Sequence, residues 1–545
     1  MRFSELFIML AAASLIVLTV EVRADEPNAE AKKEVKSDED QKEVKKKPKP
    51  KITVSKETTY IEGPLTDDGY VDYAEALNQY LSKGVTPQNN AAVPFSRALG
   101  SNGSEMRNMT DEFKKEFYKR LGIEAPPEKG DYLVSLADLA DLLEVKVERV
   151  NDEQGRTTEG PWAKETLPTM ARWIEVNEKP LALITEGAKR SRWYMPLVDE
   201  DEDTMIVALL LPTVQSARSV SRVLNARAMN RLHDGDVEGA WEDLMTIHRL
   251  GRHVAEGSTL IERLVGVALE GVACGGDRIV AQSGQLMTAQ ALKFRAQLEE
   301  LPPVPRMADA INLAERYLML DACVHLARQT PGAKEILDID VDGAAEVLAS
   351  LLSKTLIDWN EPMKMGNKWY DKLVAAGRLP TYLKQKAAME KIDEELKKLV
   401  ARAKDPKAFA IKFFLTGSPR KAVGRQIGTI LISLLLPAVN ATIEAENRID
   451  LERAMTGVTL ALAAYKNDHG RYPDSLDKLA PKYIAKIPLD SYVEKPLVYS
   501  TTPDGYLMYS VGRNQADEEG NGWWENRRDG DDLAVRFPRA KRSDE

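Results

Sequence analysis

Cysteine, catalytic signatures, excess positive charge and long apolar runs are all in short supply in this chain of 545 residues. Its only two cysteines, Cys274 and Cys323, each sit in an apolar helical run and read as buried thiols, so no disulfide framework organises the fold. No G-x-x-x-x-G-K-[ST], G-x-S-x-G, H-E-x-x-H or C-x-x-C occurs, which removes the usual signatures of phosphate, hydrolase, zinc and redox chemistry. Seventy-five basic residues stand against 85 acidic ones, a net charge of −10, and no stretch supplies the dense basic face that nucleic acid needs. The apolar runs Leu6–Val20 and Ile427–Val439 both fall short of the roughly 20 residues that cross a bilayer, so no span is expected in the mature chain.

What is present begins with an export pattern. Arg2 precedes the run Leu6–Val20, and Val22-Arg23-Ala24 places small residues at a cleavage position, so 1–24 reads as a signal peptide and the protein as periplasmic or secreted. Residues 25–52 are nearly all Glu, Asp, Lys, Ala and Pro; such a segment buries too little apolar area to offset chain entropy and reads as a disordered tether.

From Tyr60 onwards the pattern is helical. Leu77, Tyr80 and Leu81 share one face, a further helix is expected over 109–121, and Trp162, Leu167, Met170, Trp173 and Ile174 form a packing stripe. Leu224–Leu232, the turn His233-Asp234-Gly235-Asp236 and Val237–Leu250 make a helical hairpin. It resembles the tetratricopeptide family in its Gly235-Asp236 turn and Ala240-Trp241 start. Leu260–Gln282 carries Gly266, Gly271, Gly275 and Gly276, small residues that let helices approach closely. Further helices are expected over 308–328, Val341–Lys354 and 384–404, and one that kinks at Pro437. The expectation for 60–440 is an irregular α-helical scaffold with surfaces for protein partners.

The last stretch changes character. Leu451, Met455, Val458, Leu462 and Tyr465 recur at steps of four and three on a helix stopped by His469-Gly470. Three short strands follow, the first two flanking the turn Thr502-Pro503-Asp504-Gly505. The fold class is therefore mainly α, with a small α+β domain over 444–538, a helix on a three-stranded antiparallel sheet, and a tail at 539–545.

In Ala464-Tyr465-Lys466-Asn467-Asp468-His469-Gly470-Arg471-Tyr472-Pro473, Ile487-Pro488-Leu489-Asp490 and Gly505-Tyr506 followed by Tyr509-Ser510-Val511-Gly512, this domain resembles the globular head of the major pseudopilin of type II secretion systems. The resemblance implies an association with the cell envelope or secretion. A long acidic loop between Val511 and Leu533 brings together Asn514, Asp517, Glu518, Glu519, Asp529, Asp531 and Asp532, oxygen ligands suited to a hard cation. The resemblance implies calcium there too, with Asn514, Asp517, Glu519, Asp531 and Asp532 as the candidate ligands. Trp523 and Trp524 are expected to cap the sheet.

Other chemistry is sparse. Asp321 and His325 lie one helical turn apart, able to share a proton or a metal or simply to hydrogen-bond. His248 and His253 point to different sides, and Glu262 and Glu270, if buried, would pair with an arginine such as Arg263 or Arg278. No catalytic residue is assigned and no cofactor is required. The function expected is an exported non-enzymatic scaffold that binds protein partners; the alternative is a periplasmic or extracellular hydrolase whose carboxylates the helical domain assembles.

Overall fold

The computed structural model describes residues 51–101, 106–107, 109–198, 204–209, 212–330, 333, 357–403, 418–435, 437–522 and 530–539. The expectations for 1–24, for the tether up to residue 50, for the helix at Val341–Lys354, for Trp523, Trp524 and Asp529, and for 540–545 lie outside those residues. The first described residues already belong to the body, ahead of the expected start at Tyr60. Ile52 is buried, the Lys51 ammonium donates to the Ala327 carbonyl, and the Thr53 amide donates to Asn360. A single apolar residue in a charged stretch anchors the chain earlier than composition indicated.

Short helices come first between Tyr73 and Gly187, with Tyr73 and Leu77 in one apolar cluster and Phe95, Phe117 and Trp173 in another. They are followed by α1 (Pro212–His233), α2 (Val237–Ala255), α3 (Leu260–Gln282) and α4 (Thr288–Glu300). Gly235, at φ +82°, makes the turn between α1 and α2, and Asp236 caps α2 by accepting from the Gly239 amide. The hairpin is tied inside by a buried ion cluster in which Asp243 accepts two hydrogen bonds from Arg227 and one from Arg231. Outside, Trp241 stacks on Phe294 of α4 at 4.1 Å. Thr259 and Glu262 close a capping box that starts α3. A second group follows: a helical stretch over Met307–Arg328 with a π-turn at Ile311–Glu315, then α5 (Asn360–Gly377), α6 (Tyr382–Ala403) and α7 (Pro419–Leu435). The helix α8 (Pro437–His469) follows; the kink expected at Pro437 turns on residue 436, which lies outside the described residues.

The chain after α8 forms two small antiparallel sheets. The two-residue strands β1 (Leu489–Asp490) and β2 (Lys495–Pro496) pair as a hairpin; a three-stranded sheet runs in the order β3 (Val498–Thr501), β4 (Tyr506–Ser510), β5 (Leu533–Phe537). The turn 502–505 closes with Thr502 and Gly505 each donating its amide to the other's carbonyl. The molecule is thus mainly α with a small C-terminal α+β part.

That part shares its core with the helices before it. Leu451 to Ala464 of α8 belong to the same apolar cluster as α1 to α4 and the sheet residues Tyr506, Met508, Leu533 and Val535. Ile443, Ala445 and Ile449, one and two turns earlier, belong to the other cluster, with α5 to α7. The helix α8 therefore crosses both cores, as does α3, whose Leu260, Leu264 and Val267 fall in the second cluster.

Candidate functional site

The acidic loop after β4 is drawn shut by its own carboxylates. Asp532, 1% exposed, accepts on Oδ2 from the Gly520 amide at 2.8 Å and the Glu518 amide at 3.1 Å. Asp531 Oδ2 accepts from the Asn514 amide, and Glu518 accepts from the Asp531 amide at 2.7 Å. Gly512, at φ +64°, allows this closure, because a Cβ there would come within 2.2 Å of the Asp531 carbonyl oxygen. Oxygens of Glu518, Asp531 and Asp532 lie within 4.8 Å of one another. Oδ1 of Asp531 and Oδ1 of Asp532 are buried and have no partner among the described residues. Desolvation, with the neighbouring Glu518 and Asp517 charges, pushes the Asp532 carboxyl up to about 6. Three crowded carboxylates with two spare inward oxygens fit a hard divalent cation completed by carbonyls or water.

The carboxylates that the structure brings together overlap only in part with the candidates read off the sequence. Asp531 and Asp532 converge, but Asp517 accepts from the Tyr509 hydroxyl and from the Glu519 amide, and Glu519 is exposed. Asn514 spends its side chain on Glu518 and on the Ala516 amide. The third carboxylate beside Asp531 and Asp532 is that of Glu518.

A second site lies where the C-terminal part meets the helices. The Glu444 carboxylate of α8 accepts from the hydroxyls of both Tyr382 (α6) and Tyr492, whose rings meet edge to face at 5.0 Å. Beside this seam is a cleft of about 290 Å³. Thr381, Asn447 and Ser491 line it from three distant parts of the chain, and the Thr381 hydroxyl, the Asn447 amide nitrogen and the Ser491 hydroxyl are buried with no partner among the described residues. Such groups ordinarily find a partner, but these three atoms are closed off from solvent, so the polar groups that the cleft presents are its charged ones. The charge is lopsided: Glu446, Asp450, Asp490 and Glu494 face it, against Arg306. Glu446 is held by Arg306 at 2.8 Å and by the Met307 amide at 2.6 Å; Asp490 accepts from the Tyr492 and Val511 amides.

No family model, curated protein or solved structure matches this chain.

The other sequence candidates lie in the helical body, several of them in satisfied buried contacts. His325 lies 3.5 Å from Asp321 and shares a hydrogen bond with Thr330, while Asp321 accepts from the Ile206 amide, so the pair is a satisfied buried unit. Glu262 serves the capping box of α3. His253 meets the Ala188 carbonyl and stacks on Trp193, whereas His248 points the opposite way, towards Glu270. Glu270 is indeed buried with arginine, but the partners are Arg252 and Arg453, not Arg263 or Arg278. Both cysteines are free and buried. The cleft escaped the sequence reading because no periodic pattern links residues 381, 447 and 491; only the carboxylates flanking Asn447 on α8 hinted at it.

Proposed function

We propose that this is an exported, non-enzymatic scaffold that binds a protein partner at the seam between its helical body and its pseudopilin-like head, and that the head is steadied by calcium held by Glu518, Asp531 and Asp532. The observation that carries the binding reading is the seam cleft, with its excess of carboxylates. That charge suits a basic side chain, lysine or arginine, of a protein segment. Export is supported by the pattern of residues 1–24, and an envelope or secretion setting by the head's resemblance. A hydrolase has less support here, because Glu446 and Asp490 are both committed to hydrogen bonds that fix them as walls.

The test is fluorescence anisotropy with labelled ten-residue peptides, one of Lys, Ser and Gly, the other with Glu in place of Lys. The basic peptide is expected to bind, more weakly as salt rises. Ser491→Trp, which fills the cleft, is expected to weaken it at least tenfold, and the paired change Asp450→Asn with Glu494→Gln to weaken it as well. Equal binding of both peptides would show that charge does not select the ligand, and binding that Ser491→Trp leaves unchanged would place it elsewhere on the negatively charged surface; either result removes the proposal.

A further inference from the structure

A second polar cluster lies deep in the helical body, far in character from the exposed acidic loop. Glu270, Cys274 and Asp277 recur at steps of four and three on α3, which puts them on one face of the helix. His248 of α2 faces them. Its Nδ1 is 3.0 Å from Glu270 and its Nε2 is 2.9 Å from Asp277. Helices α2 and α3 can meet this closely because Gly251 and Gly266 face each other; a Cβ on Gly266 would lie 2.5 Å from the Gly251 carbonyl oxygen. His248, Glu270, Cys274 and Asp277 are each 1% exposed or less.

A protonated imidazole bridging two carboxylates explains part of this arrangement and leaves part unexplained. It uses one oxygen of Asp277, while Oδ1 of that fully buried carboxylate has no partner among the described residues. It gives the Cys274 thiol no role, although a ligand atom from each of His248, Cys274 and Asp277 falls within 4.8 Å of the other two. The geometry points to a buried site for a zinc-class divalent ion, held by Nε2 of His248, the Cys274 sulfur and a carboxylate oxygen of Asp277.

Glu270 fits as the outer partner. It faces the other ring nitrogen, so it accepts from Nδ1–H and leaves Nε2 to the ion, the usual way a carboxylate orients a ligating histidine. Glu270 is itself fixed by Arg252 and by Arg453 of α8 at 3.6 Å. The charge also balances. The ion brings two positive charges and displaces two protons, one from the imidazolium Nε2 and one from the thiol, so the buried cluster keeps its net charge and the protons leave to solvent. Nitrogen, sulfur and a single carboxylate suit a borderline-soft ion in tetrahedral geometry, with one position left for water, and do not suit calcium. Because the site is enclosed by α2 and α3, the ion would enter as the helices close and leave slowly.

The test uses the untagged full chain, refolded in the presence of either zinc chloride or cobalt(II) chloride and then dialysed. The expected result is about one zinc per chain by elemental analysis. The cobalt form should show the near-ultraviolet sulfur-to-metal absorption together with intense visible bands of tetrahedral cobalt. Cys274→Ser is expected to lose the sulfur absorption, and Glu270→Gln to weaken metal binding about ten- to a hundredfold. Cobalt in the acidic loop would give no sulfur band, so the two sites are told apart. A refolded wild-type chain with native helical circular dichroism, no retained zinc and no sulfur-to-cobalt absorption would overturn the proposal, and that outcome does not depend on any variant folding.

Discussion

Glu315 lies in the π-turn before the helix at Arg316, where it accepts from the Leu260 amide at 3.0 Å. Desolvation pushes its carboxyl up to about 7 from an ordinary 4.5, the one bond from Leu260 working the other way. A folded-state value above the unfolded one means that its favourable contribution is complete below about pH 4.5 and is lost as the pH rises through about 7. Glu315→Gln keeps an acceptor for Leu260 and cannot ionise. Its urea-unfolding free energy is therefore expected to match wild type near pH 4.5 and to exceed it at pH 8, by roughly 3 kcal/mol. Identical pH profiles would show that the carboxyl is hydrated. At Asp532 the corresponding change separates metal from packing. Calcium at about 100 times its dissociation constant adds roughly 2.7 kcal/mol to the wild-type chain, a shift of a few degrees in melting temperature. Asp532→Asn is expected to abolish that shift without lowering the metal-free melting temperature, since it removes one of three mutually repelling carboxylates. A calcium shift that survives the substitution would place the ion elsewhere.

Among the elements, the α2–α3 pair depends most on single atoms. Gly266→Ala puts a methyl group against the Gly251 carbonyl and the Ala255 side chain, so it is expected to lower unfolding free energy by about 1 to 3 kcal/mol, measured by denaturant titration. Gly275→Ala, with nothing within 4 Å, is expected to be neutral or mildly stabilising. The sequence displayed all four glycines of α3 alike; which of them face a neighbour depends on the crossing with α2, and that information is not local. The same limit applies to α8. Its stripe of Leu451, Met455, Val458, Leu462 and Tyr465 was visible by period, yet Leu460, Ala461 and Ala464 are equally buried, because α3 and α4 cover the side that the sheet does not. Turns and caps were the easiest elements to read, Gly235-Asp236 and Thr502–Gly505 among them, since each is decided within a few residues. The loop 511–533 was readable in composition but not in aim: Asp517, Glu518 and Glu519 are neighbours, and only the loop's closure on Asp532 selects the middle one.

For the whole molecule, the decisive feature is that α8 lies in both apolar cores and carries Glu444, Glu446 and Asn447 at the seam. The C-terminal part is held to the body by further bonds, from Gln282 to the Tyr506 hydroxyl and the Arg536 carbonyl and from Asn467 to the Leu286 carbonyl. A fragment covering 444–545 would expose the face of α8 that α3 and α4 now bury. It is expected to show no cooperative thermal transition by circular dichroism, in contrast to the full chain; a sharp transition in the fragment would make the head an autonomous unit. The binding claim itself rests on one place where three distant segments meet. Hydrogen–deuterium exchange of the full chain, with and without a saturating Lys-Ser-Gly peptide, tests it most directly. The account expects slowed exchange to appear together in residues 377–385, 443–450 and 489–494, with the acidic loop and the α2–α3 pair unchanged. Protection confined to any other surface, or none at saturation, would contradict it.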